Sequence, residues 1–190
     1  MISVVIPTLN AAESLAASLS ALVPAAVNNL VREVVIADGG STDETLAIAE
    51  DAGAKVVAAE PGRGRQFVAG CAAAKGPWLL ALHPETRLGP EWEAAARDHM
   101  ENHPREAGYF RFAVDDHRAA ARLLEAGETL RCGVFGRPRG AQGLLISRRL
   151  YDEVGGYPCV SRAEDAVLAR RLRGRLRPLA ARAFVGARAV

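Results

Sequence analysis

Internal repeats and low-complexity linkers are absent from this sequence, and so is any apolar run long enough to cross a bilayer. The longest uncharged segment, Ser14 to Val31, is interrupted by Pro24, Asn28, Asn29 and three serines, and its leucines recur at helical spacing, so it reads as an amphipathic helix. Cysteine is scarce. Cys71, Cys132 and Cys159 are far apart, odd in number and without metal-ligand spacing, which argues against a cysteine-bound metal and for a reducing compartment. A secretory leader is lacking as well: Met1 runs directly into Ile2-Ser3-Val4-Val5-Ile6, with no basic region and no cleavage site, so a cytoplasmic location is expected. The dinucleotide fingerprint is imitated but not met in Gly62-Arg63-Gly64-Arg65-Gln66-Phe67. Its third glycine position is Phe67, it follows the third strand rather than the first, and no acidic residue stands at the ribose distance. Hydride transfer is thereby disfavoured. Charge is nearly balanced at +2, and no nucleic-acid partner is expected. The exception is the end of the chain, where Arg170, Arg171, Arg173, Arg175, Arg177, Arg182 and Arg188 form either a solvated helix face or a peripheral contact with an anionic membrane.

What is present suffices for one domain with a real core: 190 residues, 49% of them hydrophobic. The organising stretch is Val34-Val35-Ile36-Ala37-Asp38-Gly39-Gly40-Ser41-Thr42-Asp43. An uninterrupted apolar run rich in β-branched residues predicts a strand buried on both faces. It ends at Asp38, two glycines allow a sharp turn, and Ser41 with Glu44 has capping-box spacing for a helix closing at Gly53. Lys55-Val56-Val57-Ala58 then reads as another strand, which makes a parallel α/β sheet. Ile2 to Ile6 is a second buried strand stopped by Pro7, with Asn10 capping a helix faced by Leu15, Leu19 and Leu22. Thr8, Asn10 and Asp38 therefore fall on one rim, at the carboxyl ends of parallel strands where ligands bind, and a nucleotide suits that rim. The alternative for Asp38 is that it serves only to orient its turn.

Further along, Arg63 and Arg65 at a helix start can clamp a diphosphate or be surface arginines. Trp78 to Leu82 is a buried strand ending in His83-Pro84-Glu85, where Glu85 and His83 form a thin divalent-metal signal or a polar loop end. A helix starts at Pro90-Glu91-Trp92-Glu93, and Gly108 to Val114 reads as a mixed or edge strand. The acidic pair Asp115-Asp116 is a second metal candidate or a solvated strand end, followed by a helix over 117–130 and a loop over 133–140. Gly143 to Ser147 reads as a strand, Arg148 to Val154 as a short helix and Gly155-Gly156-Tyr157-Pro158 as a turn. Glu164-Asp165 opens a helix over 166–173, where carboxylates suit the dipole.

Together, Val5-Ile6-Pro7-Thr8-Leu9-Asn10, Ala37 to Asp43, Gly62 to Gln66, Leu82 to Leu88, the Gly155-Gly156-Tyr157-Pro158 turn and Glu164-Asp165 resemble the bacterial family 2 glycosyltransferases over nearly the whole chain, closest to the short branch associated with arsenosugar biosynthesis. The resemblance implies a GT-A-like, Rossmann-type α/β fold: a mixed, mostly parallel sheet flanked by helices in a single domain. Its nucleotide-binding half is about 1–88 and its acceptor half about 89–190. It also implies that Thr8, Asn10 and Asp38 hold uridine, with Arg65 near the base or diphosphate; Pro7, Gly39 and Arg63 are the further candidate donor-binding residues. Glu85 falls on the last acidic position of the metal motif, for Mn2+ or Mg2+, and Asp165 on the catalytic base. The chemistry implied is inverting transfer from a nucleotide-sugar donor to a hydroxyl acceptor.

The sequence departs from that pattern in several places. His83-Pro84-Glu85 stands where the branch usually has His-Ala-Asp, Gly140-Ala141-Gln142 lacks the carboxylate of Gly-Asp-Gln, and Ala11 replaces a common Glu. The chain also ends earlier than most relatives, at Val190. These departures define the alternative, a non-catalytic nucleotide-binding or scaffold protein. A nucleotidyltransferase is a weaker rival, because the Gly62 to Arg65 turn is poorer in glycine and lysine than a triphosphate loop.

Overall fold

A computed structural model describes residues 1–114, 142–160 and 163–185. The acidic pair Asp115-Asp116, the helix expected over 117–130, the loop over 133–140, Cys132, Ala141 and Arg188 lie outside the described residues. The strands are β1 (Ile2–Thr8), β2 (Val31–Asp38), β3 (Lys55–Ala58), β4 (Trp78–Ala81), β5 (Thr86–Leu88), β6 (Ala107–Val114), β7 (Leu144–Ser147) and β8 (Leu176–Val185). The helices are α1 (Ala12–Ser20), α2 (Val23–Val27), α3 (Thr45–Asp51), α4 (Arg63–Ala73), α5 (Trp92–Asn102), α6 (Arg148–Glu153) and α7 (Glu164–Arg171). One sheet runs in the order β3-β2-β1-β4-β7-β6-β8-β5. The β3-β2-β1-β4 half is parallel throughout, while β7 pairs antiparallel with both β4 and β6, and β8 runs parallel to β6 and antiparallel to β5. The expected mixed sheet flanked by helices is what forms.

Both faces are covered because the side chains of β1 alternate. Ile2, Val4 and Ile6 join Leu15, Leu19 and Trp92 beneath α1 and α5, whereas Val5 joins Phe67, Cys71, Leu150 and Leu168 beneath α4, α6 and α7. Each fully buried large apolar side chain contributes about 1.5–3 kcal/mol, so this layering is what holds the strand ends in register.

The structure corrects several local expectations. Pro7 does not stop β1 but pairs with Ala37 inside it. Along a parallel strand the amides face alternate neighbours. Leu82 N–H donates to Val5 O and Gly39 N–H to Thr8 O, so the donor that proline lacks lies on the side from which β4 has already departed. The segment from Ser14 to Val31 is two helices rather than one, with Pro24 in the first turn of α2 and Val31 already in β2. Neither Ala11 before α1 nor Glu44 before α3 supplies a side-chain cap, and at α3 it is Asp43 Oδ1 that accepts from Thr45 N–H (3.0 Å). Instead of Asn10, the neighbouring loop serves α1: Ala11 N–H donates to Thr45 Oγ1 (2.8 Å) and Ala12 N–H to Asp43 Oδ2 (3.1 Å). The basic end of the chain is not one helix face, since Arg177 and Arg182 lie on β8, Arg175 pairs with Glu153 and Arg177 with Glu106. No helix among the described residues is long and apolar enough to cross a membrane.

Candidate functional site

The carboxyl ends of β1, β2 and β4 open on the same side of the sheet, and two loops there are laced together. Asp38, nearly buried at the end of β2, accepts hydrogen bonds from Thr8 Oγ1 (2.9 Å), Gly40 N–H (2.8 Å), Ser41 N–H (2.8 Å) and the Ser41 hydroxyl. Burial opposes its charge, but these donors win and hold the carboxyl below its usual range. Asn10 N–H donates to Ser41 Oγ (2.9 Å), and Asn10 Oδ1 accepts from Thr42 N–H (2.8 Å). Ser41 thus ties the two loops instead of capping α3. Sequence reasoning passed over Gln66 as a site residue. Its buried amide donates to Thr8 O (2.6 Å) and Ala37 O (3.0 Å), pinning both strand ends from the first turn of α4.

Beside this rim lies a cleft of about 460 Å³ lined by Pro7, Thr8, Gly62, Arg63, Gln66, His83 and Glu85, among others. The expected residues Pro7, Thr8, Arg63 and Glu85 therefore converge there. Asp38, Gly39 and Asn10 form the bracing behind and beside it, with Gly39 packed on the Gln66 amide. Arg65 is not brought in: it is exposed and turned to Glu60 (3.2 Å), outside the lining.

A second strip of chain closes over the start of α4. Gly64 lies so near the backbone of residues 158–160 that an added Cβ would sit 2.3 Å from Val160 O and 2.5 Å from Pro158 O, so only glycine permits the contact. This brings the start of α7 against the cleft. Arg63 Nε lies 2.8 Å from Oε1 of the fully buried Glu164, an ion pair by distance without a directed hydrogen bond. His83, buried at the end of β4, places Nδ1 3.4 Å from Glu85 Oε1 and Nε2 3.4 Å from Asp165 Oδ2. Burial alone would lower the His83 pKa, but Asp165 and Glu85 push it up to about 9. The reciprocal effects are clear in direction. Burial works against the charge of Asp165, yet His83, Arg63 and Tyr157 keep it below the usual carboxylate range, and His83 does the same for Glu85. Burial and the Asp165 charge raise Glu164.

A divalent cation suits this donor chemistry. The Glu85 carboxylate is on the cleft lining, and hard cations take carboxylate and phosphate oxygens together. Among the described residues, ligand atoms of His83, Glu164 and Asp165 lie within 4.8 Å of one another. His83 Nε2 and both Glu164 carboxylate oxygens also lack a hydrogen-bond partner among the described residues. From the Gly140-Ala141-Gln142 stretch only Gln142 is described, its amide donating to Phe110 O (3.0 Å).

The family model for glycosyl transferase family 2 matches residues 3–141. No curated protein matches the chain. Among solved structures, glucosyl-3-phosphoglycerate synthase from Mycobacterium tuberculosis in complex with Mn2+, uridine diphosphate and glucosyl-3-phosphoglycerate is similar with a TM-score of 0.70 at 21% identity, covering 98% of this chain and 70% of that one. The same enzyme with Mg2+ and uridine diphosphate gives 0.70 at 21%, covering 98% and 69%. The crystal structure of a mycobacterial protein gives 0.71 at 22%, covering 98% and 65%. These likenesses place the architecture among GT-A-like α/β folds.

Proposed function

The chain belongs to glycosyl transferase family 2, and from that premise we propose that it moves a sugar from a nucleotide-sugar donor, UDP-linked, to a hydroxyl acceptor with inversion at the anomeric carbon. The observation that carries the proposal is the contact of Asp165, which stands outside the cleft lining, with His83, which lines the cleft together with the β1 end, Arg63 and Glu85. A base must be ionised before it acts, and Asp165 is held so by its neighbours. It takes the acceptor hydroxyl proton as that oxygen bonds to the anomeric carbon, while the bond to the diphosphate breaks and its electron pair leaves with UDP. Thr8, with Asp38 and Gln66 bracing the strand ends, shapes the rim that receives the nucleoside. Arg63 offers a fixed fork of donors to the diphosphate. Glu85 would hold a divalent cation, Mn2+ or Mg2+, which supplies charge neutralisation to the leaving group. The family membership and the synthase complexes with UDP and Mn2+ support this reading.

The test is a panel of sugar nucleotides incubated with the protein, with and without Mn2+, and assayed for UDP release. Consumption of at least one UDP-sugar is expected. A protein that binds UDP yet consumes no donor in the panel is the non-catalytic alternative.

A further inference from the structure

Asp165 is gripped at both oxygens. Oδ2 faces His83, and Oδ1 accepts from the Tyr157 hydroxyl at 3.3 Å. Tyr157 is itself fixed from three sides. Its ring stacks on Phe67 of α4, with centroids 4.4 Å apart and planes within 10°. Its amide donates to the Tyr151 hydroxyl of α6 (3.1 Å), and the turn preceding it is tied to α7 by Arg171, which donates to Gly155 O and Gly156 O at 2.8 Å each. Gly156 has φ +56°, and an added Cβ would meet the Tyr151 ring at 2.7 Å, so the turn that aims Tyr157 has little alternative to glycine. Burial and the adjoining Asp165 charge raise the phenol well above its ordinary pKa, which keeps it a donor at any working pH. A stacked, two-torsion side chain loses little entropy on being fixed, so such a clamp holds its partner closely.

We propose that Tyr157 is a positioning residue, which through its stack on Phe67 and its hydrogen bond to Oδ1 aims the Asp165 carboxylate at the acceptor hydroxyl. The proposal rests on Asp165 being the base. Phe67 belongs to the helix that carries Arg63, so the same stack sets the distance between the base and the diphosphate clamp. A purely structural Tyr157 would use only its ring.

Tyr157→Phe keeps the ring and removes the hydroxyl, and the decisive measurement is a double-mutant cycle with Asp165→Asn on a donor that the wild type consumes. We expect Tyr157→Phe to lower kcat roughly tenfold or more, as loss of a hydrogen bond to a charged group does, with donor KM, UDP affinity and melting temperature close to wild type. In the Asp165→Asn background the same substitution should cost nothing further. Tyr157→Leu, which also loses the stack, should lower the melting temperature as well. If Asp165→Asn is inactive while Tyr157→Phe matches wild type, the clamp is overturned and the transferase reading stands. An equal loss in both backgrounds makes Tyr157 structural. A wild type inert toward every donor overturns the transferase reading and the clamp with it.

Discussion

Nε2 of His83, at the end of β4, lies 3.4 Å from Oδ2 of Asp165, at the start of α7, while the same ring turns Nδ1 toward Glu85. One imidazole thus joins the carboxylate proposed to hold a metal to the carboxylate proposed as the base. Those carboxylates push its pKa up to about 9, and the ring when protonated stabilises both charges. Two acidic residues far apart in sequence can therefore share one buried corner without forcing a proton onto either.

Asp165→Asn preserves shape and removes basicity. Transfer should fall by roughly 10²-fold or more, the lower range for general-base catalysis, while UDP affinity stays near wild type. Single-turnover UDP release from a consumed donor reads this directly. A mutant as fast as wild type would leave Asp165 as no more than an acidic residue at a helix start.

Asp38 makes a prediction in stability as well as binding. Its folded pKa lies below the unfolded value of about 3.9. The stabilisation is therefore present above that value and is lost as pH falls through the folded pKa. Asp38→Asn should cost about 1–3 kcal/mol at pH 7, because it disrupts a carboxylate that accepts four hydrogen bonds. Urea unfolding at pH 7 and pH 3 should show the gap between wild type and mutant narrowing at the lower pH. UDP affinity should fall too, since the turn Asp38 braces forms the rim. Equal UDP affinity by calorimetry would remove Asp38 from the nucleotide site.

The parallel half of the sheet was legible because continuous apolar runs such as Val34 to Ala37 have no other use in a small domain. Among the later strands β6 and β7 were read as strands too, but β8 and β5 were not. In β8 the buried residues Leu179, Ala181, Ala183 and Val185 alternate as a half-buried strand should, but three alanines and Pro178 blur the pattern and the neighbouring arginines mimic a helix face. β5 has three residues, too few to show a period. At the site, residue types at strand ends identified Thr8, Asp38 and Glu85. Gln66 escaped because an amide that pins backbone carbonyls from another element leaves no local pattern. The pairing of Asp165 with His83 escaped for the same reason, being set by contacts between distant segments such as that of Pro158 and Val160 with Gly64 of α4.

Metal dependence should run through Glu85. One carboxylate makes a weak site alone, so the cation and the diphosphate should bind together. In calorimetry, Mn2+ should tighten UDP binding to the wild type and leave Glu85→Gln unchanged. The Gln variant also removes the charge facing His83 Nδ1 while keeping an acceptor oxygen there and leaving the Asp165 contact, so the fold should survive, which a melting curve would check. UDP affinity indifferent to Mn2+ in both proteins would shift leaving-group stabilisation to Arg63.

Arg63 and Arg65 are two residues apart and look equivalent in sequence, yet only Arg63 lines the cleft, while Arg65 is turned outward to Glu60. If the cleft receives a diphosphate, Arg63→Ala should weaken UDP binding roughly tenfold or more, the range for a charge-assisted contact. Arg65→Ala should change it by no more than about twofold, since exposed pairs carry little energy. The comparison needs a control, because Arg63 also faces the buried Glu164 and its removal leaves that carboxyl without its cation. Breaking such a pair is destabilising in its own right. The double variant Arg63→Ala/Glu164→Gln removes both charges, so its melting temperature should recover toward wild type while UDP affinity stays low. Recovery of both together would mean that Arg63 matters only for folding. Equal losses of affinity from Arg63→Ala and Arg65→Ala would mean that the diphosphate lies outside this cleft.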